Sequence, residues 1–141
     1  MRRALFYALV FCAPLASGCD GSGLSTSDLR FETAEAEYAA GGVVYARLEN
    51  ASDEGVGYNL CFAYLNLERE AGRWETVPAG LGPDETAACT ANVIGLAPGE
   101  TAGPTAAHLP PDLDAGTYRL STTVEVDGDR RRVVTNAFRV R

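Results

Sequence analysis

Thiols are the first side chains in this chain that could do chemistry. Four cysteines stand at Cys12, Cys19, Cys61 and Cys89. A thiol can carry a lipid, close a disulfide, ligate a metal or attack as a nucleophile. Metal ligation has little support, because His108 is the single histidine and no Cys-x-x-Cys spacing occurs. A cysteine nucleophile would need a base, and His108 is the one histidine there is. A serine nucleophile has no Gly-x-Ser-x-Gly to support it, and His108 reads as a solvated loop residue before Leu109-Pro110-Pro111. Carboxylates pair at Glu35/Glu37, Asp53/Glu54, Asp84/Glu85, Asp112/Asp114 and Asp127/Asp129. Glycosidase chemistry needs two carboxyls facing one cleft, whereas these fall mostly in turns, where Asp caps backbone groups. Asp127-Gly128-Asp129 offers oxygen ligands for calcium, but no complete twelve-residue loop follows. The residues therefore imply no catalytic group, no metal and no cofactor, and the chain reads as non-enzymatic.

Cys19 has a different context. Met1-Arg2-Arg3 is positive, Ala4 to Ala16 is an uncharged apolar run, and Ala16-Ser17-Gly18 puts small residues before the thiol. The run has thirteen residues, and a spanning helix needs about 20. It fits a cleavable export signal over residues 1–18. The junction resembles the bacterial lipobox, departing from it in having Ala16 three residues before the cysteine and Leu15 one step further out. That resemblance implies a diacylglyceryl group on Cys19 and a membrane-anchored lipoprotein outside the cytoplasm. Residues 19–28, rich in Gly, Ser and Thr, read as a flexible tether.

Without the signal the chain keeps ten Arg against 19 Asp and Glu, a net charge of −9, and it has no Lys. Such a balance argues against nucleic acid as a partner, since phosphate binding needs basic clusters. It also argues against electrostatic docking on anionic lipid. With Cys12 in the signal and Cys19 at the anchor, Cys61 and Cys89 remain, and two cysteines in an exported domain are expected to pair. Closing that loop would stabilise by about 3–4 kcal/mol.

The elements that must position these groups are strands. Phe31 to Tyr38, Val43 to Asn50, Tyr58 to Leu67, Arg73 to Val77, Thr86 to Ile94, Thr101 to Leu109, Thr117 to Val126 and Arg132 to Arg141 alternate or run apolar, with turns between them. Tyr58 to Leu67 is the most apolar and is expected to lie centrally. Thr101 to Leu109 is expected at an edge with Pro104 facing out. Val134, Phe138 and Val140 are expected inward. Asp127-Gly128 is a tight hairpin signal. Seven or eight strands without an amphipathic helix predict an antiparallel β-sandwich over residues 29–141.

Asp114-Ala115-Gly116-Thr117-Tyr118 matches the D-x-G-x-Y pattern of the tyrosine corner. Gly41-Gly42, Leu48-Glu49-Asn50 with Ser52, Leu67-Glu68-Arg69, Gly72-Arg73-Trp74, Leu96-Ala97-Pro98-Gly99-Glu100 and Leu113 to Leu120 follow in order. Together they resemble the bacterial immunoglobulin-like domains of small envelope lipoproteins. The resemblance implies that fold, a structural role for Asp114, Gly116 and Tyr118, and no catalytic residues. Leu120 stands where an antibody domain has its second core cysteine, so Cys61–Cys89 would be a different cross-link.

The expected function is an interaction or structural domain at the envelope, with an unidentified protein or glycan partner. Two alternatives carry their own residues. An exported protease inhibitor would present Pro78 to Glu85 or Leu109 to Leu113 as a wedge. A glycan-binding module would stack sugars on Trp74 with Tyr58 and Tyr64, although aromatics in a sandwich are more often core. Arg130-Arg131-Arg132 could grip an anion, but is expected to balance Asp127 and Asp129.

Overall fold

Alternation becomes strands throughout the computed structural model, which describes residues 28–82 and 89–141. In chain order they are β1 (Leu29–Thr33), β2 (Glu37–Tyr38), β3 (Val43–Asn50), β4 (Val56–Tyr58), β5 (Asn66–Glu70), β6 (Trp74–Thr76), β7 (Ile94–Leu96), β8 (Thr101–His108), β9 (Gly116–Val126), β10 (Asp129–Val134) and β11 (Phe138–Val140). One 3-10 turn, Phe62–Tyr64, lies between β4 and β5. The smaller sheet has the order β1-β3-β8. The larger runs β2-β11-β9-β4-β7, with β10 and β5 also on β9 and β6 on β5. Every strand pairing is antiparallel except β2 with β11. The architecture is all-β and sandwich-like. Val44, Ala46 and Leu48 from β3 share one core with Leu67, Tyr118, Leu120, Val124 and Phe138 from the larger sheet.

The eleven strands exceed the expected seven or eight because three expected runs are each broken in two. Phe31 to Tyr38 divides at Ala34-Glu35-Ala36, a stretch of low strand propensity. β1 stays on β3 while β2 crosses to β11. The Tyr38 hydroxyl accepts the Glu35 N–H at 2.9 Å, which fixes the crossing.

Tyr58 to Leu67 is not one central strand. Between β4 and β5 the chain bows out, and Leu60 and Leu65 are buried while Phe62 packs against the core. The smaller sheet has three strands, so these apolar residues help close the core instead of filling a ladder. Thr122 Oγ1 donates to the carbonyl of Tyr64 at 3.1 Å and holds the bow in place.

Arg132 to Arg141 splits through a bulge. Val134 stands opposite Ser121 and Phe138 opposite Tyr118, so four steps on one strand match three on the other. One extra residue reverses side-chain parity. Val133 is therefore buried and Val134 exposed, while Phe138 and Val140 face inward as expected. Thr86 to Ile94 does not form the expected strand where it is described: the strand is Ile94–Leu96, and Thr86 to Ala88 lie outside the described residues.

Asp127 and Gly128 both take positive φ, as the tight hairpin requires. β8 is an edge of the smaller sheet with Pro104 exposed. Gly103 has φ +101°, and a Cβ there would come within 2.7 Å of the Ala46 carbonyl oxygen, so the register shift opposite it depends on glycine.

Candidate functional site

β9 carries two faces, and its outward one is the most organised surface of the molecule. Tyr118, Leu120, Thr122, Val124 and Val126 point inward and are buried. Arg119, Ser121, Thr123 and Glu125 point outward. Register places Glu68 of β5 beside Arg119 on one flank and Arg132 of β10 beside Thr123 on the other. Glu68 is only 4% exposed although it lies on the outer face, because its neighbours cover it. Arg119 Nε donates to its Oε2 at 2.8 Å and Ser121 Oγ to its Oε1 at 2.7 Å. Arg132 also donates to Oε1. Burial alone would raise the Glu68 pKa, but the hydrogen bonds from Arg132, Ser121 and Arg119 outweigh it and hold the carboxyl at about 2. Trp74 of β6 lies over the Arg119 guanidinium at 4.1 Å, a cation–π contact. Trp74, Arg119, Glu68 and Arg132 thus form one fixed row across four strands.

This row is not acid–base machinery. A carboxyl held near pKa 2 and bound by two guanidinium groups is a weak base and has no free proton to give. Its geometry suits a rigid, mixed-charge surface with an aromatic ring.

The expected site residues fall in separate places. Cys19 and its lipobox lie outside the described residues. Cys61 and Cys89 are joined in a disulfide with Cα atoms 5.6 Å apart. Beside it, Asn59 Nδ2 donates to the carbonyls of Thr90 and Asn92 at 2.8 and 3.1 Å. The segment leading into β7 is therefore held to the bow by a covalent bond and two hydrogen bonds.

The Tyr118 hydroxyl donates to the Asp114 carbonyl at 2.8 Å. Burial raises the Tyr118 phenol above its usual range, with Arg69 opposing that and Asp114 adding to it. Gly116 passes so near that an added Cβ would lie 3.3 Å from Tyr118 Cε2 and 3.4 Å from Arg69 Nε. Arg69 in turn pairs with Asp114 at 3.0 Å.

Trp74 does not join Tyr58 and Tyr64 in one platform. The two tyrosines line a cleft of about 350 Å³ with Asn59, Val93, Thr123 and Arg130, while Trp74 sits on Arg119. Arg132 does not balance the hairpin acids as expected: its partner is Glu68, brought near by the β10–β9–β5 alignment. Among the described residues no group of three or more His, Cys, Asp or Glu side chains could hold a metal. The two wedge segments do approach each other. Gly82 N–H donates to the His108 carbonyl at 2.9 Å, and Val77, Pro78 and Ala79 share a cleft with Pro110, Asp112 and Leu113. Residues 83–85 of the first segment lie outside the described residues.

Sequence reading missed Glu68. It stands just past the expected strand Tyr58 to Leu67, where a polar turn over Glu68 to Gly72 is expected, and its partners are 51 to 64 residues away. Only the strand order, with β5 and β10 flanking β9, brings them together.

No protein-family model matches the chain, and no curated protein sequence is significantly similar to it.

Proposed function

We propose that this chain is a non-enzymatic, lipid-anchored protein of the bacterial cell envelope, whose immunoglobulin-like domain acts as an interaction module. The observation that carries the reading is the outer face of the larger sheet. There a buried carboxylate holds two arginines, one of them stacked on a tryptophan, in one surface. Preordered side chains lower the entropy lost on binding a partner. The Tyr118–Asp114 bond agrees with a tyrosine corner and so with an immunoglobulin-like fold. The anchor rests on the sequence of residues 1–19, and the lipoprotein modification supplies the two or more chains that stable anchoring takes.

Intact mass of the chain from its own host's membrane fraction tests the address. A chain starting at Cys19 with a diacylglyceryl adduct is expected, and Cys19→Ala should move the protein to the soluble fraction. An unlipidated wild-type chain in the soluble fraction would refute the anchor.

A second reading, an exported protease inhibitor, is favoured by the adjacency of Pro78–Gly82 and Leu109–Leu113. It predicts that changes in these two segments, and not on the larger sheet's outer face, abolish partner capture.

A further inference from the structure

Among the described residues six strand edges are open, and all but one carry charge or proline or are only two residues long. β1 carries Arg30 and Glu32, β2 has two residues, β6 has three with Glu75 at its centre, β8 contains Gly103-Pro104, and β10 carries Arg130-Arg131-Arg132. Charges, shortness and proline are the means by which edges avoid a further strand. β7 has none of the chemical ones. No charged residue occurs from Cys89 to Gly99, and Val93 and Ile94 are 61% and 51% exposed, the two most exposed large hydrophobics described. Among the described residues β7 pairs with β4 alone. The segment entering it is already fixed by Cys61–Cys89 and the Asn59 amide.

Among the described residues the surface beside this edge is open and acidic. Gly95 of β7 stands opposite Gly57 of β4, which stands opposite Glu125 of β9. Val93 folds over Gly57, where a Cβ would meet its Cγ1 at 2.7 Å. These residues line a shallow recess of about 610 Å³ whose charged lining among the described residues is Glu100, Glu125 and Asp127, with no basic side chain among them. Arg130 lies across from Glu125, beyond the recess. Glu100 accepts the Ala97 N–H at 2.8 Å, whereas neither Glu125 nor Asp127 has an ion-pair partner among the described residues.

We infer that β7 is a docking edge for an extended, cationic segment of a partner protein, which adds a strand beside Ile94–Leu96 and extends long basic side chains across Gly95 and Gly57 towards Glu125 and Asp127. Backbone hydrogen bonds to an open edge supply affinity, and side chains over the adjoining surface supply choice. Charge decides the occupant. A second copy of this acidic chain would bring two carboxylate-lined recesses together, whereas a basic strand meets an opposite potential. The inference rests on the interaction-module reading but not on the lipid.

The test uses the full chain and a labelled eight-residue peptide of alternating Lys and Val. Saturable binding is expected, weakening as salt rises, with slowed amide exchange confined to β7 and its approach. Val93→Lys, on an exposed side chain, should weaken binding by at least about tenfold. Glu125→Gln with Asp127→Asn should weaken it less, and Arg47→Ala on the opposite sheet should leave it unchanged. No binding, equal binding by the Glu–Val counterpart, or wild-type binding by Val93→Lys would overturn the inference. If the peptide fails while a photo-crosslinker at Thr123 still captures an envelope protein, this edge is wrong and the module reading stands. If both fail, both fall.

Discussion

The two outer faces of the molecule use the same residue types to different ends. On the smaller sheet, Arg30–Glu49 and Arg47–Glu32 lie at 3.6 and 3.1 Å with side chains 38% to 63% exposed. On the larger sheet, the Glu68 side chain is 5% exposed and holds Arg119 and Arg132 together. Exposed pairs gain little Coulomb energy and lose rotamer freedom, so each contributes about 0–1 kcal/mol. A buried carboxylate with several charge-assisted donors loses its water and is stable only while all of them are in place. One face is a solvated coat, the other a fixed array.

The largest expected effect separates the faces most sharply. Glu68→Ala leaves Arg119 under Trp74 without its carboxylate and Ser121 without its acceptor. It should cost about 3 kcal/mol, at the low end for a broken buried pair because half-exposed Arg132 can turn to water. Chemical denaturation checks this, and a cost below about 1 kcal/mol would erase the contrast.

Acid titration probes the same carboxylate. The folded value of about 2 lies below the ordinary 4.5. The stabilisation is therefore complete above pH 4.5 and is lost as pH falls towards 2. That shift corresponds to about 3 kcal/mol. Glu68→Gln should show an acid loss smaller by that amount, measured as denaturant midpoints at neutral pH and near the folded pKa.

Trp74→Ala should destabilise by about 1 kcal/mol through the lost cation–π contact. It should reduce partner capture more than it reduces stability. Arg47→Ala should change stability by less than about 0.5 kcal/mol and leave capture intact, since its ion pair is solvated.

Much of the frame could be read from the chain. Val43 to Asn50 is β3 with the expected faces, Thr117 to Val126 lies within β9, and the hairpin at Asp127-Gly128 is in register. The Cys61–Cys89 link was legible by elimination. The failures share a physical origin, because alternation reports which residues are apolar but not what they cover. Leu60, Phe62 and Leu65 look like a central strand, yet they fill the side of a core that three strands leave open. Val134 reads as inward because a one-residue bulge after Thr135 leaves no mark in the hydrophobic pattern. Glu68 stands just past the expected strand Tyr58 to Leu67 and reads as the start of a polar turn, whereas it lies inside β5. Its burial depends on partners from β9 and β10, which only the closed sheet supplies. The undefended edge at β7 was hidden for a similar reason, since the stretch before it looked strand-like around Cys89 and not at Ile94.

On the proposed reading the larger sheet's outer face meets a partner and the smaller sheet's does not. The most direct test is a photo-crosslinking residue installed in the native host at Thr123 on one face and at Tyr45 on the other, followed by mass spectrometry of the adducts. That reading requires a discrete envelope-protein adduct from position 123, diminished by Trp74→Ala, and only diffuse background from position 45. Equal adducts from both positions, or a discrete adduct from position 45 alone, would contradict it.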